Sequence, residues 1–350
     1  MMIKATGIGS VPHKDVKSIC DLILDRFPDM PFWPQLFKVN PRENMFVQFA
    51  EALPCLEADL DRKTVRVVQT NQERELLTFY DYFDHNCYEY FKIGKDHARG
   101  FYALMEAIEK NGHPCVFIKG QVIGPITFLS TIIGDNGKAL IHDDMMSDAI
   151  PKGLAMKAVW QAKEIEKAGK IPIIFFDEPY LSSFGSAFVP LERGKVVEML
   201  NNVMSILTQK TRARVGIHCC GNTDWSMLLE TKADIVSLDS YGFGEYFTLY
   251  PNQITKFLNR GGVVAWGVVP TAEYRASIDL KEIKKRLRIC FNNLASRGVD
   301  TDRLLRHSLI TPSCGTGLMR EADATRVHNL TAELSADLPS AGSIEEWVQN

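Results

Sequence analysis

Short apolar runs alternate with longer amphipathic stretches along almost the whole sequence, and this alternation restricts the folds that it can adopt. Eight runs rich in Val, Ile, Phe or Leu are typical of strands, at residues 3–9, 30–36, 114–121, 171–177, 213–218, 234–239, 262–267 and 306–312. Most are continuously apolar, which suits strands covered on both faces, as in a parallel sheet. Helical periodicity marks residues 145–168, 191–210, 280–296 and 321–334.

Eight strands with interposed helices predict an α/β fold, a (β/α)8 TIM barrel. A doubly wound sheet is the competing architecture, but no Gly-x-Gly-x-x-Gly motif follows any of the strands. We therefore expect residues 1–338 to form a single barrel domain. The polar residues 339–350 are expected to form a loosely held C-terminal tail.

One segment does not fit the repeating strand–helix pattern. Within residues 42–112, residues 65–70 suggest part of a β-hairpin and residues 73–91 suggest a helix. The sequence therefore predicts an insertion after the second strand. The insertion is either a lid or a docking surface for a partner, or a segment that packs against the barrel without a function of its own.

The bulk composition excludes several classes of protein. Hydrophobic residues make up 45% of the 350 residues and charged residues 24%, so a core of ordinary size is available. The formal net charge of −3 gives no basic field for nucleic acid or for an anionic membrane. No apolar stretch approaches the ~18 residues of a membrane helix, and no signal-peptide pattern is present. We expect a cytoplasmic protein whose eight cysteines are reduced.

Metal-binding side chains follow the predicted fifth and eighth strands. The chemistry of a barrel lies at the C-terminal ends of its strands, and there the sequence places His218, Cys220 and Cys314. One imidazole and two thiolates suit zinc, and Asp239 after the sixth strand could complete a tetrahedron. The alternative is that His218 and Cys220 are core residues, since His-x-Cys often occurs by chance. Cys219 is excluded because alternation along an extended segment points it to the other side.

Other polar residues at the strand ends are candidates for substrate binding. Asp177 and Glu178 end the fourth strand and suggest acid–base chemistry, although carboxylates before Pro179 also suit the start of a helix. Ser10 ends the first strand beside a glycine, where the backbone can approach a ligand closely. Trp266, at the end of the seventh strand, either lines the pocket or belongs to the core.

Together these motifs resemble the catalytic half of cobalamin-independent methionine synthase, in the barrel superfamily that it shares with uroporphyrinogen decarboxylase. The resemblance covers residues 8 to about 320 and is weakest over residues 42–112. Ile8-Gly9-Ser10 resembles the family's opening Ile-Gly-Ser motif, which cradles the amino-acid substrate. The Asp-Glu-Pro at residues 177–179 resembles the motif whose Asp holds the substrate amine.

The same resemblance extends to the metal. His218-x-Cys220 and Cys314 followed by Gly resemble the family's zinc ligands, and Asp239 stands where the family has a ligand Glu. The resemblance implies zinc-dependent transfer of a methyl group to a zinc-bound thiol such as homocysteine, with Asp177 and the zinc ligands as the catalytic residues.

The length and three motifs refine this resemblance. At 350 residues the chain resembles the short "core" methionine synthases, which take methyl from methylcobalamin or a methylated corrinoid protein that is not permanently bound. The family's His-Gly-Glu is missing ahead of the Arg-Glu-Asn-Met at residues 42–45, and Glu51 is offered in place of its carboxylate. Residues 218–223 are closer to the methylcobamide:coenzyme M methyltransferases, so coenzyme M or another thiol is the alternative acceptor.

Two further hypotheses assign the chain to a different class of enzyme or to a non-catalytic role. A uroporphyrinogen decarboxylase-like enzyme would need an N-terminal arginine cluster, whereas no arginine precedes Arg26. A non-catalytic zinc protein would act as a partner or chaperone of a corrinoid protein and would bind metal without turnover. The expected partners are thus a small thiol and a corrinoid protein, with neither nucleic acid nor membrane.

Overall fold

A computed structural model of the chain describes residues 4–186 and 191–338. Over these residues it contains nine strands: β1 (Lys4–Ala5), β2 (Leu56–Asp59), β3 (Thr64–Val67), β4 (Phe117–Ile123), β5 (Ile171–Asp177), β6 (Arg214–Cys219), β7 (Ile235–Leu238), β8 (Val263–Val269) and β9 (Ser308–Pro312). Seven form one parallel sheet in the order β1-β9-β8-β7-β6-β5-β4. The order follows the chain, which is consistent with a TIM barrel and confirms the predicted α/β class.

The second predicted strand is wrong as a regular strand. In the described chain, residues 30–36 make only two isolated parallel bridges, from Phe32 to Lys119 of β4 and from Gln35 to Ser10 beyond β1. Pro31 and a second proline at position 34 interrupt this run, and a proline lacks the N–H group that a strand donates to its neighbour. The run nevertheless lies between the two edge strands of the sheet, where it links them.

Helices connect the parallel strands and cover the outside of the sheet. The four predicted helices are confirmed within three residues at each end, at Asp144–Lys167, Arg193–Lys210, Leu280–Ala295 and Glu321–Asp337. The helices of the described chain are α1 (Val16–Arg26), α2 (Met45–Ala50), α3 (Gln72–Asp84), α4 (Arg99–Asn111), α5 (Pro125–Thr131), α6 (Asp144–Lys167), α7 (Arg193–Lys210), α8 (Trp225–Glu230), α9 (Ser240–Phe247), α10 (Pro251–Asn259), α11 (Leu280–Ala295), α12 (Thr301–Arg306) and α13 (Glu321–Asp337).

Residues 42–112 contain the predicted hairpin, formed by β2 and β3, together with α2, α3 and α4. The predicted helix over residues 73–91 ends early at Asp84, and Asn86 then adopts a left-handed conformation with φ of +56°. The start of α4 packs closely on residues 31–35: a Cβ added at Gly100 would lie 1.9 Å from the carbonyl oxygen of Pro34. Whether the segment acts as a lid stays a prediction, and the predicted tail at residues 339–350 lies outside the described residues.

Most of the apolar core lies between the sheet and the helices. A second, smaller cluster lies inside the curl of the sheet and consists of Met30, Ile173, Phe175, Ile235, Ala265 and Leu309. The strands carry polar side chains beyond this cluster, towards their carboxyl ends. Among the described helices, none is both long and apolar enough to cross a membrane.

Candidate metal centre and its surroundings

Three of the predicted metal ligands meet at the carboxyl edge of the sheet. His218 is the next-to-last residue of β6, Cys220 directly follows that strand, and Cys314 lies two residues beyond β9. One ligand atom from each of the three residues lies within 4.8 Å of the other two. Because β6 and β9 are parallel strands of one curled sheet, their carboxyl ends face the same opening although His218 and Cys314 are 96 positions apart in sequence.

The imidazole of His218 is oriented for metal binding. Its Nδ1 lies 2.9 Å from the hydroxyl oxygen of Ser237 on the neighbouring strand β7. Its Nε2 is buried and has no hydrogen-bond partner among the described residues. A ring held through one nitrogen, with the other nitrogen unsatisfied, is the arrangement that a metal-ligating histidine needs.

The two thiols interact directly with each other. A hydrogen bond from Cys314 lowers the pKa of Cys220 to about 4, with a further contribution from His218 and against the opposing effect of burial. The same bond to Cys220 raises the pKa of the Cys314 thiol well above its usual range. One thiolate is therefore already favoured, and replacement of the remaining thiol proton by a cation would satisfy both sulfurs. This donor set fits zinc.

Cys219 lies outside this cluster, as the alternation of the extended segment predicts. Its side chain is buried in the core between sheet and helices, and its Sγ lies 3.5 Å from the carbonyl oxygen of Gly221. Burial raises the pKa of Cys219 to about 12, so this thiol is protonated at neutral pH. It therefore offers a matched control for the two neighbouring cysteine ligands.

Asp239 has a structural role at the end of β7. Its side chain accepts a hydrogen bond of 2.8 Å from the backbone N–H of Gly242 and caps the N-terminus of α9. Burial is the main reason that its pKa is raised to about 6, while the nearby His218 lowers it. Asp239 is not one of the three clustered residues, so its role as a fourth ligand stays a prediction.

Asp177 lies beside the cluster. It ends β5 and pairs in register with His218 on β6, so the two side chains point to the same side of the sheet. Burial raises the pKa of the Asp177 carboxyl, which the positive charge of Lys119 partly offsets. Within residues 4–186 and 191–338 its Oδ1 is buried without a hydrogen-bond partner. An unsatisfied acceptor of this kind suits a ligand that brings its own donor.

Glu178 has a partner that the sequence does not reveal. As its place before Pro179 predicts, it precedes a short 3-10 helix, Pro179–Ser183, but its carboxylate makes no capping hydrogen bond to that helix and instead caps α5 after the neighbouring strand β4. It accepts hydrogen bonds from the backbone N–H groups of Ile126 at 2.9 Å and Thr127 at 2.7 Å, and from the Thr127 hydroxyl at 2.6 Å. It thereby joins the loops that follow β4 and β5.

The turn Ile8-Gly9-Ser10 adjoins the loop that carries Cys314. The carbonyl oxygen of Ser10 accepts a hydrogen bond of 2.9 Å from the backbone N–H of Thr316. A Cβ added at position 315 would lie 2.1 Å from the Ser10 hydroxyl oxygen, so a larger residue there would force this hydroxyl to move. The turn is thus next to the candidate metal ligands, and its contact with substrate stays a prediction.

Two other predicted substrate residues make their contacts elsewhere than at this cluster. The prediction that Trp266 lines the pocket is wrong, and its alternative, a core position, is the one observed. β8 continues to Val269, so Trp266 lies in mid-strand, fully buried between Phe247 of α9 and Phe291 of α11. Glu51 accepts a hydrogen bond of 2.7 Å from the backbone N–H of residue 94 and lies 3.4 Å from His97. Its proposed grip on a substrate amine stays a prediction.

Two further buried polar residues, Lys119 and Ser237, are not among those predicted from the sequence. Both lie inside otherwise apolar strands, Lys119 in β4 and Ser237 in β7, and both are completely buried. The sequence does contain a signal for Lys119, because it is a lysine in a run that otherwise has the composition of a buried strand. A fully buried lysine is rare and needs partners, so such a residue is a candidate for a role in the site.

No protein-family profile and no curated protein matches the sequence. Among solved structures, the chain is similar to a Listeria monocytogenes protein provisionally described as a vitamin-B12-independent methionine synthase. The identity is 13% and the TM-score 0.53, over 92% of this chain and 85% of that one. It is also similar to a pneumococcal exo-β-D-N-acetylglucosaminidase module, at 11% identity and a TM-score of 0.49, over 99% and 88% of the two chains. At 13% identity, the likeness to the Listeria protein shows the fold alone.

Alanine variants of the three cysteines test the metal site. We expect Cys220→Ala and Cys314→Ala to lose most of the zinc that the native chain takes up, at about one ion per chain, because each removes a ligand atom. Cys219→Ala removes a neighbouring thiol that faces the core and should keep the full zinc content. Zinc per chain is measured by atomic emission after loading and dialysis. Full zinc content in either ligand variant would show that the cluster does not hold the metal.

The buried carboxyl group of Glu178 should make the stability of the fold depend on pH. Burial raises its pKa from 4.5 to about 7, against the hydrogen bonds that lower it. An acid with a higher pKa in the folded chain stabilises the fold below its unfolded pKa, and this contribution is lost as pH rises through the folded value. Between about pH 4.5 and 8, the free energy of unfolding should therefore fall relative to Glu178→Gln by up to about 3 kcal/mol. Urea unfolding across this range measures the difference, and parallel pH profiles for the two chains would contradict it.

Proposed function

We propose that this chain is a zinc-dependent methyltransferase that methylates a thiol. Homocysteine is the proposed acceptor, and methylcobalamin or a methylated corrinoid protein is the proposed donor. The observation that carries the proposal is the convergence of His218, Cys220 and Cys314 within 4.8 Å at the mouth of the barrel, with Nε2 of His218 unsatisfied among the described residues. The resemblance of the surrounding motifs to methionine synthase supports the choice of reaction.

His218, Cys220 and Cys314 would hold the zinc ion. Zinc bound there would lower the pKa of a coordinated thiol substrate and so supply a nucleophilic thiolate at neutral pH, where a free thiol with a pKa near ~8.5 is mostly protonated. The chain itself fixes the ligand geometry, since Ser237 holds the ring of His218 from the neighbouring strand. Three protein ligands leave a position for the substrate sulfur.

Asp177 would orient the amino-acid end of homocysteine. Its unpartnered Oδ1 lies on the same side of the sheet as His218 and would accept a hydrogen bond from the substrate ammonium group. Because this Oδ1 atom is buried, the charged hydrogen bond would form away from water, where it is stronger. The turn at Ser10, next to the Cys314 loop, would lie against the substrate carboxylate.

The reaction exchanges one bond for another. A lone pair on the acceptor sulfur attacks the methyl carbon, so that an S–C bond forms while the bond between methyl and donor breaks. The electron pair of the broken bond leaves with the corrinoid, and the thiol proton passes to solvent. The chain contributes to this step by holding the acceptor sulfur in line with the methyl group and its donor. The step needs no further side chain as an acid or a base.

A methyl-transfer assay tests the proposal. Zinc-loaded protein is mixed with methylcobalamin and either homocysteine or coenzyme M, and the loss of methylcobalamin absorbance and the methylated product are followed. We expect transfer to homocysteine, and a fall in kcat/KM of about 10- to 100-fold in Asp177→Asn, because the substrate ammonium group loses the negative charge of its hydrogen-bond partner. Transfer to coenzyme M, which has no amine, should be affected far less by this variant.

The outcomes separate the candidate functions. Faster transfer to coenzyme M than to homocysteine would favour the coenzyme M methyltransferases as the nearest functional relatives. Absence of transfer to either thiol in a zinc-loaded sample would contradict the proposal and would favour a binding role beside a corrinoid protein. Cys219→Ala serves as the control, since its side chain lies in the core and should leave transfer unchanged.

A further inference from the structure

Lys119 is a buried cation that the proposed chemistry does not use. Its side chain rises from β4 inside the curl of the sheet, is 0% exposed, and passes over the ring of Phe175 with Nζ 4.8 Å from the ring centre. Its ammonium group donates hydrogen bonds to the carbonyl oxygen of Ile8 and, at 3.1 Å, to the side-chain oxygen of Gln121. Burial lowers the pKa of Lys119 to about 8, so the group stays mostly protonated at neutral pH.

The Ile8 carbonyl opens the turn that runs beside the candidate metal centre. The next residue, Gly9, is tightly enclosed: an added Cβ would lie 2.7 Å from Oε1 of Gln35 and 2.9 Å from Cδ of Gln121. The carbonyl oxygen of Gly9 accepts a hydrogen bond of 3.0 Å from the backbone N–H of Gln35. Two successive peptide groups of the turn are therefore held, one by the Lys119 ammonium group from inside the curl of the sheet and one by the backbone of Gln35 in the neighbouring segment.

The other side of the turn holds the loop that carries Cys314. The Ser10 carbonyl oxygen accepts hydrogen bonds from Thr316, at 2.9 Å from its backbone N–H and at 3.2 Å from its hydroxyl. Thr316 is only two residues beyond Cys314 and is itself buried. A continuous path of hydrogen bonds and peptide units thus runs from the Lys119 ammonium group through residues 8–10 to the Cys314 loop.

From this path we infer that Lys119 is a positioning residue that fixes the turn at residues 8–10 and, through it, the place of Cys314 in the metal cluster. The inference rests on the proposed zinc site but not on the identity of the thiol. A charged donor suits this role, because a hydrogen bond from an ammonium group to a carbonyl is stronger than a neutral one and is shielded here from water. Groups that orient metal ligands from outside the ligand set typically change metal affinity by 10- to 100-fold when they are removed.

Lys157 provides a matched control. It is also 0% exposed, and burial also lowers its pKa to about 8. It lies on α6, outside the sheet, and Glu51 supplies the opposing charge near it. Loss of Lys157 therefore removes a buried lysine of the same type without touching the turn or the Cys314 loop.

The experiment compares Lys119→Met and Lys157→Met in the full chain by two measurements. Hydrogen–deuterium exchange of the metal-free proteins should be faster in Lys119→Met at residues 8–11 and 314–317, and unchanged there in Lys157→Met. Cobalt(II) titration should show a Kd about 10- to 100-fold weaker in Lys119→Met, with a weaker thiolate-to-cobalt absorption band per bound ion. Lys157→Met should bind cobalt as the native chain does.

Equal exchange at residues 8–11 and 314–317 in all three proteins, or the same cobalt defect in both lysine variants, would overturn the inference. If Lys119→Met does not fold, Thr316→Val removes the hydroxyl bond to Ser10 and should show the same two changes to a smaller degree; native behaviour of that variant would also overturn the inference. Neither measurement needs methyl transfer. A chain that binds cobalt normally but transfers no methyl group would therefore contradict the proposed function alone.

Discussion

The register between three neighbouring parallel strands determines where the candidate site forms. β5, β6 and β7 pair so that Asp177 lies beside His218, and His218 beside Ser237. Residues paired in register point to the same side of a sheet, so a carboxylate, an imidazole and a hydroxyl converge inside the curl. Ser237 then takes one ring nitrogen of His218 and leaves the other for a ligand. A slip of one residue in either pairing would turn part of this row outward.

The site also carries a high density of buried charge. Lys119 in the middle of β4 and Glu178 directly after β5 are fully buried, and at the end of β5 the Oδ1 atom of Asp177 is buried as well. A buried charge costs several kcal/mol unless hydrogen bonds or opposite charges compensate for it. Glu178 is compensated by three donors from α5, and Lys119 by the Ile8 carbonyl and Gln121. Asp177 keeps one oxygen unsatisfied among the described residues, which is the expected state of a group that awaits a ligand.

Local sequence pattern predicts much of this arrangement. Continuous apolar runs predict the parallel strands, and the polar residues that follow them predict the edge at which His218, Cys220 and Cys314 meet. Alternation alone separates Cys219 from its two neighbours, because it depends only on the extended backbone. These predictions succeed where residues adjacent in sequence decide the outcome.

The remaining features depend on contacts between distant parts of the chain. Glu178 caps a helix that follows a different strand, and the lysine of β4 reaches a carbonyl of the first turn. The sequence places Trp266 near the end of the seventh predicted strand, but β8 extends two residues beyond that limit. The ring of Trp266 therefore lies in mid-strand and packs on the helices. The two prolines in residues 30–36 could have excluded a regular strand there, since both are visible in the sequence.

X-ray absorption at the zinc edge measures whether His218, Cys220 and Cys314 hold one zinc ion with a position open for a thiol. We expect two sulfur neighbours at about 2.3 Å and one imidazole nitrogen at about 2.0–2.1 Å, with a third sulfur appearing when homocysteine is added. A zinc shell of oxygen and nitrogen alone, or a sulfur count that homocysteine leaves unchanged, would contradict this expectation.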